Sequence, residues 1–169
     1  LGMMEQLMAR LFRETIGVDI PTPFQRLTYH DAIHKYGSDK PDLRFGLEIE
    51  DVTDIVKGSD VKVFASVAAS GGVVKALNAK GCASWSRKEL DDLQPFAARY
   101  GGKGIAWITV KEGKWNGPIV KFFKPEEIAA LTERLNVEEG DLITFSADKL
   151  KTAADVMGNL RLKVGRELG

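Results

Sequence analysis

His30 and His34 stand four residues apart, the best metal-like spacing in the chain, because on a helix both imidazoles would project toward one ion. Neither the glutamate of an HExxH pair nor a nearby cysteine completes such a site, so they read as surface histidines and no metal is expected. The run GGKG at Gly101–Gly104 lacks the glycine that a phosphate-cradling loop needs five residues before its Gly-Lys pair, where Ala97 stands. A dinucleotide fingerprint fails too, since Trp107 occupies the place of its third glycine. Gly101–Gly104 therefore reads as a turn that ends a helix. Cys82, the single cysteine, has no histidine beside it in sequence and reads as an idle thiol. No GxSxG nucleophile motif is present, and Asp51, Asp54 and Asp60 sit in a charged segment with no pairing signal, so no catalytic residue is assigned. Lys149, Lys151, Arg161, Lys163 and Arg166 make the last helix locally basic, which suits phosphate contact or a solvated face. Trp85, Trp107 and Trp115 are scattered over predicted strands and loops and read as packing residues before stacking platforms.

The elements that must position these groups follow from periodicity. Leu7, Met8, Leu11 and Phe12 recur at helical spacing up to Ile16, and Gly17 ends that helix; this apolar face must find a partner. Phe24–Leu27 reads as a short strand, and Thr28 with Asp31 has capping-box spacing for a helix running to Tyr36. Leu47–Val56 reads as a strand leading into one helical turn that closes at Gly58. Val61, Val63 and Val67 alternate and Val73–Leu77 resumes the alternation after Gly71 and Gly72, which predicts a hairpin. Ser86 with Glu89 forms a second capping box, followed by a helix with Leu90, Leu93, Phe96, Ala97 and Tyr100 inward and a bend at Pro95. Ile105–Val110 and Pro118–Phe123 read as a second hairpin joined by KEGKWNG. Pro125 opens a helix with Ile128, Leu131 and Leu135 inward, and Leu142–Phe145 is a buried strand. Asp148 caps the last helix, with Ala153, Val156, Met157, Leu160 and Val164 on its dry side and Lys151, Arg161, Lys163 and Arg166 on its wet side.

In order, these elements predict a two-layer α+β domain, a mostly antiparallel sheet with helices on one face, plus flanking helices from another body. The change in pattern divides the chain into a flanking segment at 1–46, an inserted domain at 47–147 and a returning helix at 148–169.

Composition bounds the rest. At 169 residues and 44% hydrophobic content the chain can bury a core, and 24 basic against 24 acidic residues create no overall field toward nucleic acid or an anionic membrane. One cysteine excludes an internal disulfide and fits a reducing cytoplasm, and no apolar run approaches the roughly 20 residues of a membrane helix. A start at Leu1 within a helical pattern, and an end just after another, lead us to expect a piece of a longer polypeptide.

The stretch YGSDKPDLRF, Tyr36–Phe45, mixes charge, glycine and proline in a way that suits neither helix nor strand. Gly37 fits a left-handed helix stop and Pro41 pushes Lys40 toward extended geometry, so this is a rigid junction loop of Ser38, Asp39, Lys40, Asp42 and Arg44. Asp42 with Arg44, or Lys40 with Asp39, would pair its charges. With LTYHDAIHK before it and GNLRLKVGRELG at the far end, it resembles bacterial-type aspartyl-tRNA synthetase in the segment that holds the GAD insertion, a domain shared with GatB-family and GatE amidotransferase subunits.

The resemblance implies a place between motifs 2 and 3 of a class II aspartate–tRNA ligase, which uses ATP and Mg2+ to activate aspartate and transfers it to tRNA. Neither motif lies in this chain and the anticodon-binding barrel is missing, so the resemblance carries over no catalytic residue and implies no cofactor for this part itself. The implied partners are tRNA and the rest of a homodimeric synthetase in the cytoplasm, with neither membrane nor DNA among them. The insertion is expected to position tRNA, with Lys149, Lys151, Arg161, Lys163 and Arg166 as the candidate contacts. The alternative is a non-catalytic GAD domain of an amidotransferase subunit.

Overall fold

The computed structural model describes residues 1–168; Gly169, the last residue of GNLRLKVGRELG, lies outside the described residues. Five strands, β1 (Ile49–Asp51), β2 (Val73–Ala79), β3 (Ala106–Lys111), β4 (Lys114–Asn116) and β5 (Leu142–Asp148), form one sheet in the order β1-β2-β5-β3-β4. Every neighbouring pair is antiparallel, and β2 pairs with β5 along its whole length, from Val73↔Asp148 to Ala79↔Leu142.

Helices cover both faces of this sheet, which corrects the one-face expectation. The helices are α1 (Gly2–Ile16), α2 (Tyr29–Tyr36), α3 (Thr53–Val56), α4 (Lys62–Ala69), α5 (Arg87–Asp91), α6 (Leu93–Arg99), α7 (Pro125–Arg134) and α8 (Leu150–Leu168). Val74 and Ala76 of β2 point into a core with Val56, Phe64, Leu131 and Phe145, under α3, α4 and α7. Leu77 and Ala79 point the other way, into a core with Leu93, Ala97, Met157, Leu160 and Val164, under α5, α6 and α8. A strand that is apolar on both sides must be dry on both sides, and that requires a helical layer on each.

Three further expectations change for local reasons. Residues 62–69 are helix α4, not a strand: Val61, Phe64 and Val67 recur at three-residue spacing, and only this geometry brings all three onto the core. The second hairpin is tighter than expected, turning at Glu112 (φ 55) and Gly113 (φ 67), and KEGKWNG contains β4 itself. Glu139 accepts hydrogen bonds from the Glu112 and Gly113 amides at 2.6 and 2.9 Å, which holds a non-glycine residue in that conformation. Residues 120–122 form a single 3-10 turn after Pro118 instead of a strand, and Phe24–Leu27 forms no strand, having no neighbour to pair with.

Other signals are met. The Ser86–Glu89 capping box is present in both directions, and Thr28 accepts from the Asp31 amide at 3.0 Å. Pro95 sits in the first turn of α6, so the chain breaks between α5 and α6 at Asp92 instead of bending through the proline. Helix α1 stands apart, with Leu7 and Leu11 about half exposed and a Glu5–Arg26 contact of 3.3 Å tying it to the following segment.

Candidate functional site

Arg161 is the structural surprise of α8. It is 1% exposed, and its guanidinium donates to four backbone carbonyls: Nε to Leu47 at 2.7 Å, and Nη2 to Asp42, Gly46 and Phe45 at 2.8, 2.9 and 3.1 Å. The rings of Phe45 and Tyr36 lie 4.5 and 4.8 Å from its Cζ. Burial pulls its pKa below the usual arginine value, with Tyr36, Asp42 and Glu48 acting against that shift, and a guanidinium keeps its charge regardless. Arg161 is therefore not on the wet side; it pins the junction loop to α8. Small residues let the loop close in: a Cβ at Gly158 would lie 2.8 Å from the Gly37 oxygen and 2.9 Å from that of Tyr36.

The remaining loop residues sit around this anchor. The Asp42 carboxylate accepts from the Arg44 amide and from its Nε and Nη2 at 2.5–3.1 Å, which holds its pKa down to about 2. Ser38 Oγ accepts from the Lys40 amide at 3.2 Å, while Asp39 and Lys40 are exposed and, among the described residues, make no ion pair. Ser38, Asp39, Lys40, Asp155, Asn159 and Arg161 contribute to the walls of an open cleft of about 280 Å³ between the loop and α8.

The five basic residues Lys149, just before α8, and Lys151, Arg161, Lys163 and Arg166 within it do not form one patch. Lys149 and Lys151 are exposed at its start, Arg166 is exposed and Lys163 half-buried at its end, and Arg161 is inside. Twelve residues of helix, about 18 Å, separate Lys151 from Lys163. Lys163 pairs with Glu167 and lies over the Trp85 ring at 4.6 Å.

His30 and His34 stack at 4.0 Å between centroids, and the His34 Nδ1 lies 3.2 Å from the Nζ of Lys75, a lysine only 1% exposed. Asp51 pairs with that lysine at 3.2 Å and Asp54 with Arg134 at 2.9 Å, so two of the carboxylates that gave no pairing signal are paired. Burial, then the Lys75 charge, lower the His34 pKa. Burial opposes the lowering of the Asp51 pKa, but hydrogen bonds from Thr53 and the Lys75 charge outweigh it. No cluster of three or more His, Cys, Asp or Glu that could hold a metal occurs among the described residues.

The glycine turn after α6 is a helix end: the amides of Gly101 and Gly102 donate to Ala98 and Ala97 at 3.1 and 3.0 Å, so these two amides are spent on closing the helix and do not face a phosphate. The residues present thus do not fit an ATP–Mg2+ site at this turn. Cys82 is buried, and burial raises its thiol pKa, as expected of an unreactive side chain. Trp85 and Trp107 pack on one core and Trp115 on the other. Among the described residues no helix is long and apolar enough to cross a membrane.

A five-stranded antiparallel sheet between helical layers, with its flanks knotted by Arg161, defines the class: residues 64–157 match the GAD domain, and the chain belongs to that family. Over its full length it is also similar to aspartate–tRNA ligases. It is 55% identical to an aspartate–tRNA(Asp/Asn) ligase of Desulfatibacillum aliphaticivorans across 100% of the chain, and 52% identical to an aspartate–tRNA ligase of Bacillus licheniformis across 99%. An aspartate–tRNA(Asp/Asn) ligase of Aquifex aeolicus is 50% identical across 99% of the chain. In each case the chain spans 28% of the relative's length.

Proposed function

We propose that this chain is the accessory GAD part of a class II aspartate–tRNA ligase, with residues 47–147 as the insertion and the flanking segments joining it to the catalytic body. The supporting observation is that similarity to these ligases covers 99–100% of the chain, including residues 1–63, which lie before the GAD match. An amidotransferase subunit, the other reading, leaves that N-terminal third unaccounted for.

On this reading the whole enzyme, a cytoplasmic homodimer, uses ATP and Mg2+ to attach aspartate to tRNA, and this part positions tRNA without catalysing a step. Lys149, Lys151, Lys163 and Arg166 remain as candidate phosphate contacts, and Arg161 acts from inside by holding the junction. The test is tRNA affinity of the whole ligase with and without residues 47–147 over a salt series. We expect weaker binding and a shallower slope after deletion; equal affinity with equal slope rejects the role.

A further inference from the structure

The cleft between α6 and the C-terminal half of α8 joins aromatic surface to positive charge, the two things an unpaired nucleotide uses. Tyr100, at the end of α6, is 37% exposed, and Phe96 braces its ring at 5.2 Å between centroids. Asn159, Leu162, Lys163, Arg166 and Glu167 of α8 form the opposite wall of an open space of about 290 Å³, where the Glu167 carboxylate is taken up by Lys163. The glycine turn sets this closeness: a Cβ at Gly102 would lie 2.6 Å from Cγ2 of Val156, so the end of α6 sits directly against α8.

Each group at the wall has a distinct capacity. Lys163 is already engaged by Glu167 and Trp85, whereas Arg166 is exposed and, among the described residues, has no carboxylate partner. Asn159 spends its Nδ2 on the Asp155 carbonyl at 2.8 Å, leaving its side-chain oxygen as an acceptor for the edge of a base. We propose that this cleft binds an unpaired RNA nucleotide, its base stacked on Tyr100 and its phosphate facing Arg166. The proposal rests on the tRNA-positioning reading and adds where and how the contact is made. Stacking on one aromatic face tolerates any base, so the site selects single strands, and only the Asn159 acceptor favours bases that carry a donor on the facing edge.

The test uses fluorescein-labelled single-stranded RNA of twelve nucleotides, the same RNA as a duplex, and deacylated tRNA, titrated against this chain. We expect the single strand to bind more tightly than the duplex. Tyr100→Leu should weaken it about tenfold and Tyr100→Phe should leave it nearly unchanged. Arg166→Gln should lower the slope of log affinity against log salt by about 0.7. Photocrosslinking of 4-thiouridine RNA to the unmutated chain should label the peptide holding Tyr100, a readout that does not depend on how a variant folds. Equal binding of duplex and single strand, an unaffected Tyr100→Leu variant, or a crosslink elsewhere overturns the site. If deleting residues 47–147 from the whole ligase still weakens tRNA binding, the broader reading survives that failure; if it does not, both fall.

Discussion

Arg161 and Lys75 are each 1% exposed, yet the chain stabilises these two buried cations by opposite means. Arg161 meets four backbone carbonyls and two aromatic rings and, among the described residues, no carboxylate in direct contact. Lys75 meets one carboxylate, Asp51, and one imidazole, His34. A guanidinium can divide its charge among several carbonyls because its donors fan out in a plane, whereas an ammonium acts as a point charge. The difference teaches that Arg161 organises backbone, the junction loop from Asp42 to Leu47, while Lys75 organises only side chains.

The same substitution should therefore have unequal effects at the two sites. Arg161→Met leaves a set of carbonyls without donors in a buried place, and we expect a loss of about 3–5 kcal/mol in urea unfolding, or failure to fold. Arg161→Lys should recover only part of this, because one ammonium cannot reach all four oxygens. A loss below about 1 kcal/mol for Arg161→Met would show that water replaces the guanidinium and that the junction is not held by it.

Next in size is the close approach beside Arg161. Gly158→Ala would force a methyl group against the Tyr36 and Gly37 carbonyl oxygens, at 2.9 and 2.8 Å, and both belong to backbone that cannot rotate away. We expect about 1–3 kcal/mol of destabilisation, with faster proteolysis in the 37–47 loop as the local signature.

Much of the fold was legible: both capping signals, the β1–α3 step, Pro125 at a helix start and the two long strands all follow from short-range chemistry. Alternating valines hid α4, because β-branched residues favour strands by propensity while the pull of the core on Val61, Phe64 and Val67 decides the outcome. The charge of Arg161 predicts a solvated position, whereas its place on α8 decides the outcome. Ala154, Gly158, Arg161 and Gly165 fall on one line of the helix at spacings of four, three and four, and three of them are small residues. That pattern marks a face approached closely by backbone, and it was available in the sequence. The Lys75–His34–Asp51 contact was not, since it joins residues as much as 41 positions apart.

Lys75→Met should cost far less than Arg161→Met, about 1 kcal/mol or less, since the Asp51 side chain is 39% exposed and can turn to water while still accepting from the Thr53 amide at 3.0 Å. Equal losses at the two sites, measured in the same urea series, would break the comparison.

The smallest expected effect concerns pH. His34 faces Lys75, His30, Asp51 and Asp31, and its folded pKa lies below the ordinary 6.5 through burial first and the Lys75 charge second. The unfolded chain thus takes up a proton at His34 before the folded chain does, so stability is full above pH 6.5 and falls as pH drops from there through the folded pKa. The slope cannot exceed about 1.4 kcal/mol per pH unit for one group. His34→Gln should flatten that part of the curve. Lys75→Met should flatten it only partly, because burial, the first cause of the shift, remains when the neighbouring cation is gone. If Lys75→Met flattens the profile as fully as His34→Gln does, the ammonium and not burial governs the imidazole.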